Sequence, residues 1–194
     1  MSARNNSHSA ASDVADEDRK LLQRAASGDE RAVRTLFRTH APRLHRHASR
    51  LLGADDGDVE DVVQQAFLAA LDGAHRFDGR SSVSTWLFGI TTRRALDASR
   101  ARFRRSRWSR VGRSVGLGFL ASRPDQQHED ATTAQRALAL LDPDQRLVFV
   151  LHDVEGHTLA EISGLIDVSI STLHSRLQAA RGRIERSTQE VQDV

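Results

Sequence analysis

The chain of 194 residues has no cysteine. That excludes a disulfide framework and any thiolate metal site, and it fits a reducing cytoplasm. No apolar run approaches the roughly 20 residues that a membrane span needs. The first residues, MSARNNSHSAASDVADED, lack the apolar core of a signal peptide and read as a polar tail over residues 1–15. There is no HExxH spacing, no nucleophile elbow and no glycine-rich phosphate loop, so the common hydrolase and nucleotide-binding chemistries have no foothold. His40, His45 and His47 lie close in sequence, and His152 with Asp153 could join them. Without a recognised ligand spacing they read as polar residues on the surface rather than metal ligands, and no metal or other cofactor is expected. Strand-like alternation and internal repeats are also missing, so the expected fold is all-α. Lysine is nearly absent as well. Lys20 stands alone, and arginine supplies every other one of the 28 basic residues. Arginine is the side chain for planar, bidentate contacts to phosphates and bases, although genomic base composition produces the same bias.

What is present falls into two helical blocks, expected at 16–107 and 130–187. A breaker-rich linker joins them at 108–129, and a short tail follows at 188–194. In the first block Ala32, Val33, Leu36 and Phe37 share a helix face. Leu44, Ala48, Leu51 and Leu52 continue it beyond Pro42, which is expected to kink or break the helix. The acidic run ADDGDVEDVV follows. Asp58 is expected to cap a helix with Asp61 at its third position, where acids suit the positive end of the helix dipole. A basic protein partner or plain solvent would suit that face. HRFDGRSSVS reads as a loop, and Ser82 or Ser84 can cap the helix after it. Along that helix and into the linker, Arg93, Arg94, Arg100, Arg102, Arg104, Arg105, Arg107, Arg110 and Arg113 face a single acid, Asp97. Charges so crowded call for an anion. A phosphate backbone supplies it with counterion release, and Phe103 and Trp108 suit stacking on unpaired bases. A solvated face or an anionic membrane are the other readings.

The second block opens with a helix over Ala134 to Leu141. Asp142-Pro143-Asp144-Gln145 then combines an N-cap, a first-turn proline and a capping-box glutamine. Leu147, Val148, Val150 and Leu151 face inward on the next helix, which Gly156 ends. The segment TLAEISGLIDVSISTLHSRLQAAR reads as helix, tight turn, helix. Thr158 and Glu161 have capping-box spacing, and Leu159, Ile162 and Leu165 form an apolar stripe. Asp167 tolerates the left-handed turn, and Ser169 caps the second helix. There Leu173, Leu177, Ala180 and Ile184 face inward. Ser171, Thr172, His174, Ser175, Arg176, Gln178 and Arg181 are left for solvent or for the major groove, where a helix-turn-helix places the start of its second helix.

DVEDVVQQAFLAAL, FDGRSSVSTWLFGITTRRALDASRAR and LDPDQRLVFVLHDVEGHTLAEISGLIDVSISTLHSRLQAARGRI together resemble the group 4, or extracytoplasmic-function (ECF), sigma-70 factors of bacterial RNA polymerase. The resemblance covers about residues 16–187. It implies two small helical domains joined by a flexible linker: sigma region 2 at 16–107, and a region 4 helix-turn-helix at 130–187. It implies that Asp58, Asp61, Gln64, Gln65 and Phe67 dock on the clamp coiled coil of the polymerase β′ subunit, and that the β flap is a further contact. Phe77, Asp78, Ser81, Ser82, Trp86, Arg93, Arg94, Asp97 and Arg100 would then meet the −10 element, with a flipped base held by the Phe77–Ser84 loop. Ser169, Ser171, Thr172, His174, Ser175, Arg176, Gln178 and Arg181 would read the −35 element. Core RNA polymerase, promoter DNA and a cognate anti-sigma factor are the implied partners. No catalysis, small-molecule substrate or membrane insertion is implied, and the location is cytoplasmic. Three residues depart from the common pattern: His174 where lysine is frequent, Gln65 where an acid is, and Asp167 where a turn glycine is. A stand-alone helix-turn-helix regulator is the rival reading. It leaves the acidic helix and the FDGRSSVSTW loop without a role.

Overall fold

A computed structural model describes residues 16–53, 56–114 and 133–192. The described residues are helical and contain no strand. The expected polar tail over 1–15 and most of the linker lie outside them. The helices are α1 (16–26), α2 (Glu30–Leu52), α3 (Asp56–Gly73), α4 (Val83–Ser114), α5 (Thr133–Ala139), α6 (Pro143–Phe149), α7 (Leu159–Ile166) and α8 (Ile170–Gln192). A 3-10 turn at Ala74–Arg76 follows α3, and a π turn at Val150–Val154 follows α6. Contacts group the described residues into two compact units, 16–49 with 56–94, and 50–53 with 95–114 and 133–192. Each is described separately.

In the first unit α1 and α2 are divided by Gly28, whose φ of +93° suits a residue without a Cβ. Asp29 then caps α2, accepting from the backbone N–H of Arg31 and Ala32 at 3.0 and 3.2 Å. The sequence reading missed this cap, although Ser27-Gly28-Asp29 carries its signature. The core collects Leu22, Leu36 and Leu44 with Val59, Val63 and Ala66 of α3 and Val83, Leu87 and Phe88 of α4. Two polar groups are buried among them with partners. His47 lies 2.9 Å from the Thr92 hydroxyl and stacks on Phe88 at 4.0 Å, and Thr92 donates to the carbonyl of Phe88.

Two expectations for this unit, a break at Pro42 and a cap at Asp58, are corrected, and a third is narrowed to one residue. Pro42 does not break α2, which continues to Leu52. Proline removes one helix hydrogen bond, and here the apolar face that continues on both sides holds the helix together. Asp58 does not cap α3, because the helix begins at Asp56. Asp58 sits within the first turn, still at the positive end of the helix. Of the two candidate caps for α4, Ser82 does the work, its hydroxyl accepting from Thr85 N–H at 3.1 Å.

In the second unit α6 lies mainly against α8, with α5 and α7 on the same helix. Leu141, Leu147, Val148, Val150, Leu151, Ile162, Leu173, Leu177 and Ala180 form the core. Asp142 caps α6 with Pro143 in the first turn, accepting from Gln145 N–H at 2.9 Å. The expected return bond of a capping box is not made: the Gln145 side-chain oxygen is buried without a partner. Arg146 is buried too. It donates to the Leu52 carbonyl at 3.3 Å, and burial, with Arg102 nearby, lowers its pKa to about 10, still protonated at neutral pH. Past Phe149 the backbone widens into the π turn, and the His157 N–H reaches back to the Leu151 carbonyl at 2.9 Å. Gly156, at φ +79°, makes the exit. Two helices outrun the expected boundaries: α4 continues to Ser114 and α8 to Gln192. No helix among the described residues is long and apolar enough to cross a membrane.

Candidate nucleic-acid interface

The helix pair α7–α8 is built as its sequence dictates. Thr158 and Glu161 form a full capping box. Thr158 N–H donates to the Glu161 carboxylate at 2.8 Å, and Glu161 N–H donates to the Thr158 hydroxyl at 3.2 Å. The bond from Thr158 N–H, with a second from the Thr158 hydroxyl at 2.9 Å, holds the Glu161 carboxyl below its ordinary pKa. Asp167 is the one non-glycine at positive φ among the described residues, at φ 56° and ψ 51°, and its N–H closes on the Ser163 carbonyl at 2.9 Å. Ser169 caps α8 through Thr172 N–H at 3.3 Å, with its hydroxyl 2.8 Å from that of Thr172. Leu173, Leu177 and Ala180 are buried and Ile184 is half-buried, so the opposite face is fixed outward.

On that outward face Ser171, Thr172, His174, Ser175 and Gln178 are exposed, as is Ser169 before it. The two arginines behave differently from the sequence expectation that left them for DNA. Arg176 lies 3.1 Å from Asp144 of α6, and Arg181 grips Asp153 with Nε at 2.9 Å and Nη2 at 2.6 Å. His152 Nδ1 lies 2.8 Å from the same Asp153 carboxylate. Arg181 above all, then His152, hold that carboxyl below its ordinary pKa. Asp153 in turn raises that of Arg181. Sequence alone could not show this. The acids come from the π turn and from α6, far from α8 in the chain.

The second cluster lies at the start of α4. Phe77 and Trp86 are half-buried with ring centroids 5.1 Å apart. Between them the loop turns at Gly79, φ +75°, where a Cβ would come within 2.8 Å of the Arg19 guanidinium. Asp78 accepts from Arg80 N–H at 3.0 Å, and Ser81 and Ser82 are exposed. Along α4, Trp86, Arg93, Asp97 and Arg100 follow each other at intervals of two turns and one turn. They share one stripe, with Arg94 beside it. Arg93, Arg94 and Asp97 are exposed, whereas Arg100 is half-buried and donates to Asp144 at 2.6 Å.

The third cluster is on α3. Asp61, Gln64 and Gln65 are exposed on one face, and Asp58 is half-buried. Phe67 departs from the docking set expected of it. It is 6% exposed and stacks on Phe37 at 4.8 Å, so it belongs to the core. Leu68, which the sequence reading passed over, is 50% exposed and completes the Asp61, Gln64, Gln65 face at helical spacing. The histidines do not converge. His40 and His47 are buried, His45 is exposed, and among the described residues no three groups come together as metal ligands.

Residues 36–108 match sigma-70 region 2, and residues 132–184 match sigma-70 region 4. The ECF RNA polymerase sigma factor SigM of Mycobacterium tuberculosis is 35% identical over 169 residues, covering 87% of this chain and 83% of SigM. The chain belongs to the ECF sigma-70 family. The ECF sigma-E factor of Escherichia coli K12 is 29% identical over 182 residues, covering 89% of this chain and 94% of its own. Among solved structures, CnrH in complex with the cytosolic domain of CnrY is similar, with TM-score 0.57, 28% identity, and 89% and 97% of the two chains covered. So is the sigma factor RpoE of Bartonella quintana in complex with the anti-sigma factor NepR, with TM-score 0.52, 25% identity, and 80% and 96% covered. The α7–α8 pair therefore lies in sigma region 4. The Phe77–Trp86 loop and the α3 face lie in sigma region 2.

Proposed function

We propose that this chain is a sigma factor that binds core RNA polymerase and directs promoter-specific initiation, with residues 16–107 acting as region 2 and 130–187 as region 4. The observation that carries the reading is the presence of both sigma regions, in order, on one chain related to SigM over most of both lengths. In this reading the exposed face of α3, Asp61, Gln64 and Gln65 with Leu68 among them, seats region 2 on the β′ clamp coiled coil, with Asp58 at its edge. The Phe77–Ser84 loop and Trp86 take a base flipped out of the −10 element, using Asp78, Ser81 and Ser82 as polar partners. Capture in a pocket offsets the few kcal/mol that unstacking a base costs, so strands separate without ATP. Arg93 and Arg94, with Asp97 among them, follow the adjoining duplex, while Arg100 on the same stripe is held by Asp144. The start of α8, Ser169 to Gln178, enters the major groove of the −35 element. Region 4 reaches it while held on the β flap. A cytoplasmic location and a cognate anti-sigma factor follow from the same reading; the related RpoE was solved with the anti-sigma factor NepR, and CnrH with the cytosolic domain of CnrY.

The test is transcription in vitro. Purified protein added to core polymerase should start transcripts at a dedicated class of promoter, whose start sites map 10 and 35 base pairs downstream of two shared elements, to within about a helical turn. Failure to bind core would sink the proposal. Tight, sequence-specific duplex binding without polymerase would favour the stand-alone regulator instead.

A further inference from the structure

The geometry points to Asp153 as a positioning residue for −35 recognition: it holds the recognition helix by the guanidinium of Arg181, which is thereby withdrawn from the DNA. This rests on the reading of region 4 as the −35 reader and goes beyond it.

The −35 reading calls on α8 to present its outward face. The hydrophobic seam of Leu173, Leu177 and Ala180 fixes how deep that helix sits, because apolar packing has no direction of its own. It fixes which face of α8 looks outward, but leaves small rotations about the helix axis and slides along α6 less constrained. A planar fork on a carboxylate does fix them. Arg181 meets Asp153 with two parallel N–H···O bonds, 2.9 and 2.6 Å, which set both distance and plane. Asp153 is itself oriented by His152 at 2.8 Å and sits on the π turn, from which its carboxylate meets Arg181 of α8. Glu185, one turn on, adds a weaker attraction to Arg181. Asp153 and Arg181 are 20% and 39% exposed at their side chains, so water competes only in part for these bonds. Groove contact is then left to Ser171, Thr172, His174, Ser175 and Gln178, all exposed on the first turns of α8.

The two roles open to Arg181 predict opposite signs for one substitution. If Arg181 reads DNA, Asp153→Asn frees a cation and strengthens binding. If Arg181 is a fastening, the same change loosens α8 and weakens binding. Holoenzyme carrying wild-type or variant chain is assayed on a duplex promoter selected from a randomised library, and on the same promoter with its −35 element scrambled. Asp153→Asn should lower initiation on the intact promoter about fivefold, the scale of one good ion pair. It should leave initiation on the scrambled one, and core binding, unchanged. Arg181→Gln should fall equally, the double variant no further, and the exchange Asp153→Arg with Arg181→Asp should recover at least half of the loss. The slope of log affinity against log salt should stay at the wild-type value, whereas losing a phosphate contact would reduce it by about one. A gain on Asp153→Asn, a reduced slope for Arg181→Gln, or additive losses would overturn the inference alone. A wild-type holoenzyme indifferent to scrambling would overturn the −35 reading beneath it. Equal loss on both templates would mark Asp153 as a general support of the fold and refute a positioning role.

Discussion

Replacing Asp167 tests the turn between α7 and α8 with a sign that depends on the backbone. Its φ of 56° and ψ of 51° put it in the left-handed region. There a residue with a Cβ carries a cost of about 1–2 kcal/mol, and aspartate escapes part of it through local hydrogen bonding of its short side chain. Alanine would carry the cost without that relief, so Asp167→Ala should lose about 1 kcal/mol. Valine, branched at Cβ, should lose more. Glycine has no such cost but gives up roughly 0.5–1 kcal/mol through the greater freedom of its unfolded chain. Asp167→Gly should therefore stay within about 0.5 kcal/mol of wild type. Hydrogen exchange of the full-length chain, read on peptides from α7 and α8, measures this where the change acts. A loss of 1 kcal/mol raises the open fraction about fivefold, and in a domain of this size it lowers the melting midpoint by about 4–8 °C. Because the closed form still dominates, −35-dependent transcription at 25 °C should hardly change. Alanine and glycine variants of equal stability would refute the reasoning, and so would a glycine variant weaker than alanine.

Other outcomes follow from named contacts. Asp61→Ala with Gln64→Ala should weaken core binding and leave the circular-dichroism melt unchanged, since both side chains are exposed. A lowered melt would place them in the fold. Phe67→Ala should cost about 3–5 kcal/mol by emptying the space against Phe37, whereas Leu68→Ser should leave stability nearly intact and reduce core binding; the reverse pattern would refute the assignment. Burial lowers the pKa of His40, with Asp18 at 3.4 Å opposing it in part. The unfolded chain therefore takes up a proton at a higher pH than the folded one. Stability present above the ordinary histidine value, near 6.5, should be lost as pH falls through the lower folded value. His40→Gln should flatten that slope in pH-dependent melts. An unchanged slope would exclude His40 as its source.

The helix-turn-helix was legible because its determinants are local. A capping box, a turn residue, a serine cap and an i, i+4, i+7 apolar stripe all fall within Thr158–Ala180, and each is realised. Burial on α8 was legible for the same reason. What could not be read was where the arginines go. Arg176 and Arg181 look free on a helical wheel, but their acids arrive from other elements, and sequence periodicity carries no information about partners across a fold. Phe67 and Leu68 show the other weakness. On a helix with apolar residues at Val59, Val62, Val63, Ala66, Phe67, Ala70 and Leu71, the edge of the buried stripe is set by the neighbouring helix. Here Phe37 of α2 draws in Phe67 and leaves Leu68 outside. Pro42 was read by its intrinsic preference, which tertiary packing overrides.

The outward face at the start of α8 carries hydroxyls, an amide and one imidazole, and its one arginine there, Arg176, rests beside Asp144. Such a surface gains little from neutralising phosphates, the contribution that lets many regulators cling to any duplex. Phosphate attraction in the free chain would then rest on the arginines of α4, and the recognition helix would add little to it. Occupation of the −35 element would answer to the number of assembled holoenzymes, because the recognition helix brings almost no phosphate grip of its own to that site.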